Sequence, residues 1–375
     1  MRDDDCCFRE GYLKIAFVAQ VRLIPEKLGT KYMIRVGLVG IGFMGWIHQL
    51  AYRRSKNAKL TAFCSSDAKK RAGDWRGIQG NFGPPGDQIS LDGMEVFESL
   101  EQMVRSPNID VIDICLPPHL HAPAAQLALE NGKDVLCEKP LAIHSEDCLR
   151  IMQTAKRLNR MVLVAHVLPY MGAFAYATEI VAKKTYGVPM GGYFKRIISD
   201  PSWIPDFYAK DKVGGPLVDL HVHDLHWIQL LFGKPKGVHV VGRMQGEVAK
   251  FVHVIYDFGE SQVAVASTSG VIDGPGRPFT HGFELHLEYA TLQHEFAAFS
   301  DSAETMPLKI VTRDGQVIRP ELPASDDIDA FVAEIEDMAE SVRTRTTAPR
   351  LDGTLAAQAV DLAITIQQQL ASRQS

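Results

Sequence analysis

The sequence predicts an α/β chain, with a doubly wound parallel sheet first and then an α+β domain built on an open-faced, mostly antiparallel sheet. Three observations predict it. From Met33 to about Leu168, apolar β-branched runs alternate with amphipathic stretches, the pattern of parallel strands covered by helices on both faces. Beyond Leu168 strands follow one another directly, and Asp314-Gly315 between the last two is a hairpin signal. The length of 375 residues exceeds one ordinary core and suits two domains.

In the first half, Ile34–Val39, Leu60–Cys64, Val111–Cys115, Asp134–Cys137 and Met161–Ala165 are predicted strands, with helices near 46–54, 97–105, 121–131 and 145–158. In the second, predicted strands are Gly191–Ser199, Val238–Met244, Phe251–Phe258, Gln262–Ser269, Phe283–Glu295, Leu308–Thr312 and Val317–Leu322, and helices follow at about 326–344 and 354–371. The expected domains are 33–168 and 169–350, with 351–375 as a helix packing back on the body. Residues 1–32 read as a loose extension or an over-long start. Asp3, Asp4 and Asp5, and a short apolar run between Lys14 and Arg22, make a poor secretory signal.

Hydrophobic residues at 46% and charged residues at 23% exclude whole-chain disorder. A net charge of -5, from 40 Lys plus Arg against 45 Asp plus Glu, gives no electrostatic reason to bind nucleic acid or an anionic membrane. A small-molecule partner is expected. The six cysteines lack paired Cys-x-x-Cys spacing, so a reducing cytoplasm is the expected location. No apolar stretch reaches the roughly 18–20 residues of a spanning helix.

Gly40-Ile41-Gly42-Phe43-Met44-Gly45 is a G-x-G-x-x-G that leaves a strand and opens a helix. In that context the first glycine turns, the second admits a pyrophosphate, and the third lets helix pack on strand, so this is a Rossmann dinucleotide site. An acidic residue after the second strand would favour NAD. Here Ser65 and Ser66 stand there, with Lys69, Lys70 and Arg71 nearby, which suits the 2′-phosphate of NADP more than NAD.

Two further stretches carry a resemblance. Asp110 to His121 reads Asp-Val-Ile-Asp-Ile-Cys-Leu-Pro-Pro-His-Leu-His, and Asp134 to Pro140 reads Asp-Val-Leu-Cys-Glu-Lys-Pro. With the glycine motif and Gly214-Gly215-Pro216-Leu217-Val218-Asp219-Leu220-His221-Val222-His223, the chain from about residue 33 onward resembles the glucose-fructose oxidoreductase, inositol dehydrogenase and MocA family. The resemblance implies that Pro117, His121 and the Glu138-Lys139-Pro140 turn border the cofactor. It also implies that Asp219 and His223 face the nicotinamide from the second domain.

The residues support these roles. Lys139 follows a strand's carboxyl end and could polarise a substrate oxygen. Asp219, His223 and His226 share one face if the segment is helical, so His223 could act as general base with Asp219 orienting it. A metal site in His221-Val222-His223-Asp224-Leu225-His226 is the competing reading, disfavoured because His221 and His223 would diverge on a helix. The resemblance also weighs toward no metal.

The chain departs from the resemblance where His226 replaces a frequent Asp and Pro169 a frequent Arg, which leaves the substrate open. His166, Arg196, Trp203 and His226 are the candidate substrate-binding residues beside Lys139. The expected function is an NAD(P)-dependent oxidoreductase interconverting a secondary alcohol and ketone of a sugar, polyol or cyclic diol, with hydride passing to nicotinamide C4. Alternatives are an NAD-dependent glycoside hydrolase of the same kind or a non-catalytic dinucleotide sensor. Apolar residues on the open sheet face would support a homodimer or homotetramer.

Overall fold

In the computed structural model, six strands pair entirely in parallel: β1 (Ile34–Val39), β2 (Ala58–Cys64), β3 (Glu95–Phe97), β4 (Val111–Ile114), β5 (Asp134–Glu138) and β6 (Val162–Ala165). Their order is β3-β2-β1-β4-β5-β6, so both neighbours of β1 are reached by crossovers in opposite directions. Strands β4, β5 and β6 are buried at every residue, because the helices cover both sides: α1 (Phe43–Arg54), α2 (Ala68–Arg71), α3 (Leu100–Met103), α4 (His121–Glu130) and α5 (Ser145–Leu158). The described residues are 32–202, 204, 206–259 and 262–373. Among them, Met33 onward forms one compact unit. The extension expected at 1–32 lies outside the described residues, as does Trp203.

A helix not expected from the sequence, α6 (Gly172–Ala182), leads to β7 (Pro189–Ser199). A π-helical turn, Leu217–His221, then runs into α7 (Val222–Phe232). The strands β8 (Gly237–Gln245), β9 (Val248–Asp257), β10 (Ala264–Ile272), β11 (Phe279–Leu287), β12 (Ala290–Ala298), β13 (Ala303–Thr312) and β14 (Val317–Ile318) complete an eight-stranded sheet. Its order is β14-β13-β12-β11-β7-β10-β9-β8, antiparallel except between β7 and β10. Phe174, Phe194, Trp227 and Phe283 pack edge to face beneath α6 and α7. On the other face Val241 and Ile255 are 58% and 60% exposed, so this sheet is open on one side.

Three expectations are corrected. Phe283–Glu295 is two strands, because a turn at Glu288-Tyr289 carries no glycine, proline or asparagine to mark it. Val317–Leu322 shortens to Val317–Ile318, since Pro320 offers no N–H to a ladder. Packing also disregards the boundary placed at 350. Helix α8 (Asp329–Thr344) lays Phe331, Ile335, Met338 and Val342 into the core of α1 and β1, and α9 (Gly353–Ser372) spans α5, α7 and β8.

Candidate active site

Crossovers reverse between β1 and β4, which opens a crevice at their carboxyl ends. Gly40 leaves β1 there at φ +95°, and a Cβ on it would lie 2.3 Å from the Cys115 carbonyl oxygen. A Cβ on Gly45 would come within 2.2 Å of the Gly40 carbonyl oxygen. At Gly42 a Cβ would meet nothing within 4 Å, and α1 begins there without a side-chain cap. The first-turn N–H groups of Phe43, Met44 and Gly45, which have no acceptor within their own helix, thus follow directly on the open space at Gly42, and this cradle fits a dinucleotide pyrophosphate.

Past β2, the Ser65 hydroxyl accepts the Asp67 N–H at 3.2 Å, and the Asp67 carboxylate caps α2 through the Lys69 N–H at 2.8 Å. Lys70 Nζ reaches over the glycine turn to the Ile41 carbonyl oxygen at 2.6 Å. Arg71 donates to the Ser65 and Ser66 carbonyl oxygens, each at 2.8 Å. Pro117 opens the turn beyond β4. The His121 ring lies 2.7 Å from both the Pro140 and Leu116 carbonyl oxygens. As a neutral ring it donates to one of these carbonyls, and both ring nitrogens face the two cofactor-side turns rather than a ligand.

Lys139 follows β5 and bridges to the second domain. Its Nζ donates to the Asp219 carbonyl oxygen at 2.7 Å and to Asp219 Oδ1 at 3.1 Å. This corrects the expected partner of Asp219: its carboxylate holds Lys139, and the His223 Nδ1 is buried with no partner among the described residues. The π-helical turn accounts for the difference, since it shifts Asp219 off the α-helical phase assumed for a Asp219-His223 pair.

His223 meets the His166 ring edge-on at 5.9 Å, and His166 stacks on His226 at 4.1 Å with the planes 4° apart. All four ring nitrogens of His166 and His226 are buried without partners among the described residues. Burial first, then the charge of Lys139, holds His223 well below the ordinary imidazole value. Burial also lowers His166 and pushes His226 down to about 3. The three rings are therefore neutral at pH 7, each with one donor and one acceptor to give.

Arg196, expected to bind substrate, is instead committed beneath the cleft. Its guanidinium forms a two-point pair with Asp224, at 2.8 and 3.2 Å, where both side chains are buried. His221 turns the other way, with Nδ1 3.3 Å from Asp224 and Nε2 3.1 Å from the Tyr256 hydroxyl. His221 and His223 therefore do not converge, and parallel stacked rings cannot share an in-plane ion. The metal reading of that segment does not fit the geometry.

Sequence reasoning missed a second buried polar group on the first domain's side, comprising His48, Tyr52, Asp113, Cys115 and Glu334. The signal was Asp113, a charge inside an otherwise apolar central strand, which demands a partner.

Residues 34–166 match the oxidoreductase family with NAD-binding Rossmann fold, and residues 174–293 match the GFO/IDH/MocA C-terminal domain. Inositol 2-dehydrogenase of Rhizobium meliloti is 26% identical over 82% of this chain and 90% of its own length. Levoglucosan dehydrogenase of Pseudarthrobacter phenanthrenivorans is 28% identical over 56% of this chain. The 2,7-anhydro-N-acetylneuraminate hydratase of Escherichia coli is 26% identical, also over 56%. In these last two the chain spans only about half, 53%, of the relative's length. Among solved structures, aldose-aldose oxidoreductase from Caulobacter crescentus superposes with a TM-score of 0.73 at 17% identity, over 91% of this chain and 98% of the other. Levoglucosan dehydrogenase in complex with NADH and L-sorbose gives 0.73 at 19%, over 91% and 97%. Two adjoining matches across both sheets leave one assignment: the chain belongs to the GFO/IDH/MocA oxidoreductase family.

Proposed function

We propose that the chain is an NAD(P)-dependent dehydrogenase that interconverts a secondary alcohol and a ketone of a sugar, polyol or cyclic diol. One observation carries this reading. An ammonium, Lys139, and an imidazole kept neutral, His223, share one cleft at the carboxyl end of the parallel sheet. When bound, nicotinamide supplies the hydride acceptor at C4. Neutral His223 takes the hydroxyl proton, which a protonated imidazole could not do. Lys139, placed by Asp219, stabilises the negative charge that develops on the same oxygen. His166 and His226 are wholly buried behind His223, so they back the proton acceptor with neutral rings and leave the hydroxyl contact to His223 and Lys139. The inositol and levoglucosan dehydrogenases among the relatives support that substrate class.

Within this reading the cofactor is NADP in preference to NAD. No carboxylate directly ends β2, Asp67 is spent as a helix cap, and Lys69 is exposed beside Ser66. The open face around Val241 and Ile255 suits a homodimer or homotetramer. Free Cys64, Cys115, Cys137 and Cys148 suit a cytoplasmic location. No described helix is long and apolar enough to cross a membrane.

A panel of inositols, anhydrosugars, aldoses and cyclic diols, assayed with NAD and NADP by absorbance, tests the reading. Net nicotinamide reduction with at least one of them is expected, faster with NADP. Sugar release or dehydration without net reduction would instead support a redox-neutral hydrolase or lyase, a reading that the hydratase relative keeps specific. Absence of affinity for either nucleotide would remove both.

A further inference from the structure

We propose that His48 is a positioning residue for Lys139, acting through Glu138, so that the helix cradling the cofactor also sets the lysine. The inference rests on the reading of Lys139 as the group that meets the substrate oxygen. Glu138 is the last residue of β5, and its carboxylate is buried beneath the lysine turn. One oxygen accepts the Lys139 main-chain N–H at 3.0 Å; the other lies 3.3 Å from His48 Nε2, an ion-pair contact outside hydrogen-bond geometry. On its far side, His48 Nδ1 lies 2.8 Å from Asp113 Oδ2, and the Tyr52 hydroxyl donates to the same oxygen at 2.8 Å. His48 and Asp113 are wholly buried.

An imidazole between two carboxylates satisfies both only when both ring nitrogens carry hydrogen. Burial is the largest single influence and opposes that charge, but the attraction and hydrogen bonds of Asp113 and Cys115 together outweigh it, and His48 is held well above the ordinary imidazole value. Glu334 from α8 faces the group with both oxygens unpartnered among the described residues, and burial keeps its carboxyl protonated well above the usual range. The row Asp113, His48, Glu138 is thus a continuous chain of buried polar contacts, and it ends on the peptide that carries Lys139. His48 belongs to α1, whose first turn forms the pyrophosphate cradle. One rigid helix therefore places both partners of the reaction, where an error of about 1 Å can cost about 10²-fold in rate. The His48, Asp113 and Cys115 ligand atoms also lie close enough to suggest a cation. The imidazole and the Tyr52 hydroxyl already occupy Asp113 Oδ2, and the Cys115 thiol points at Oδ1.

The full-length chain tests this in two measurements. First, Lys139 acetylation by limiting acetic anhydride is read by peptide mass spectrometry against exposed Lys69 in the same molecule. His48→Gln and Asp113→Asn should each raise the Lys139 to Lys69 ratio several-fold while nucleotide affinity stays within a factor of about 3, below the scale of a lost charged hydrogen bond. A wild-type ratio in whichever of these variants fold, or one stoichiometric metal ion in the wild type, would overturn the proposal. Second, with the best substrate of the panel, His48→Gln should lower kcat by about 10- to 100-fold and cause no further loss in a Lys139→Ala background. Equal losses in both backgrounds would mark a merely structural role and overturn the proposal. If Lys139→Ala keeps full activity, it is the reading of Lys139 that fails, and the labelling ratio still decides the relay.

Discussion

Charge is distributed among single side chains by what each one touches. Lys139 is anchored to Asp219, whereas His223, half-buried and facing that cation, stays neutral. A cation and a neutral proton acceptor therefore coexist within electrostatic reach of each other. Lys139→Ala is expected to lower kcat by about 10²- to 10³-fold, the scale of losing one charge-stabilising donor, with an unchanged melting temperature. His223→Gln keeps a polar side chain but loses the proton acceptor, and kcat should fall by about 10²- to 10⁴-fold. Steady-state kinetics beside a thermal melt check both, and retained activity in either would reassign that residue. Lys139 and His223 were readable in the sequence because each sits in a contiguous motif beside a predictable element. His48 was not, since its partners Asp113 and Glu138 stand 65 and 90 residues away and only folding brings them together. Nor could spacing reveal that Arg196 is consumed by Asp224.

At the scale of elements, the glycine turn separates fold from function. Gly45 is enclosed by backbone, so Gly45→Ala should lower the melting temperature measurably, because main chain cannot yield as a side chain can. Gly42 has room in the free protein. Gly42→Ala should therefore melt like the wild type yet bind NADPH at least about tenfold more weakly, since a methyl group would occupy the pyrophosphate's place. Calorimetry with a fluorescence titration distinguishes these outcomes, and equal effects from both substitutions would contradict the cradle. The alternation of apolar strands and helices made the parallel sheet predictable almost strand for strand. The three-residue β3 is too short to show a period, and α6, Gly-Ala-Phe-Ala-Tyr-Ala-Thr-Glu-Ile-Val-Ala, has too little polar contrast to show one. The π-helical turn escaped for a different reason. Its residues look helical, and only the displaced Asp219 reveals the extra residue in the turn.

Across the whole molecule, buried histidines make stability depend on pH. Among the described residues, burial lowers His121, His166, His223, His226, His281 and His294, with His226 and His281 at about 3. Each stays neutral in the fold but takes a proton in the unfolded chain below about pH 6.5. Their contribution is thus complete above that value and is lost as pH falls toward the folded-state values. His48 and Glu334, both raised, work in the opposite sense, favouring the folded state more as pH falls. Six groups against two decide the sign, so the melting temperature should drop as pH goes from 7.5 to 5.5. For the wholly enclosed His166 and His226 the limiting slope is about 1.4 kcal/mol per pH unit each. His281 lies among Phe174, Phe279 and Phe296, with centroids 5.0 to 5.8 Å away, so His281→Phe fits the same space without the titration. That variant should show a flatter decline in differential scanning calorimetry across the same range. A decline as steep as the wild type's would mean that His281 is solvated or protonated in the fold.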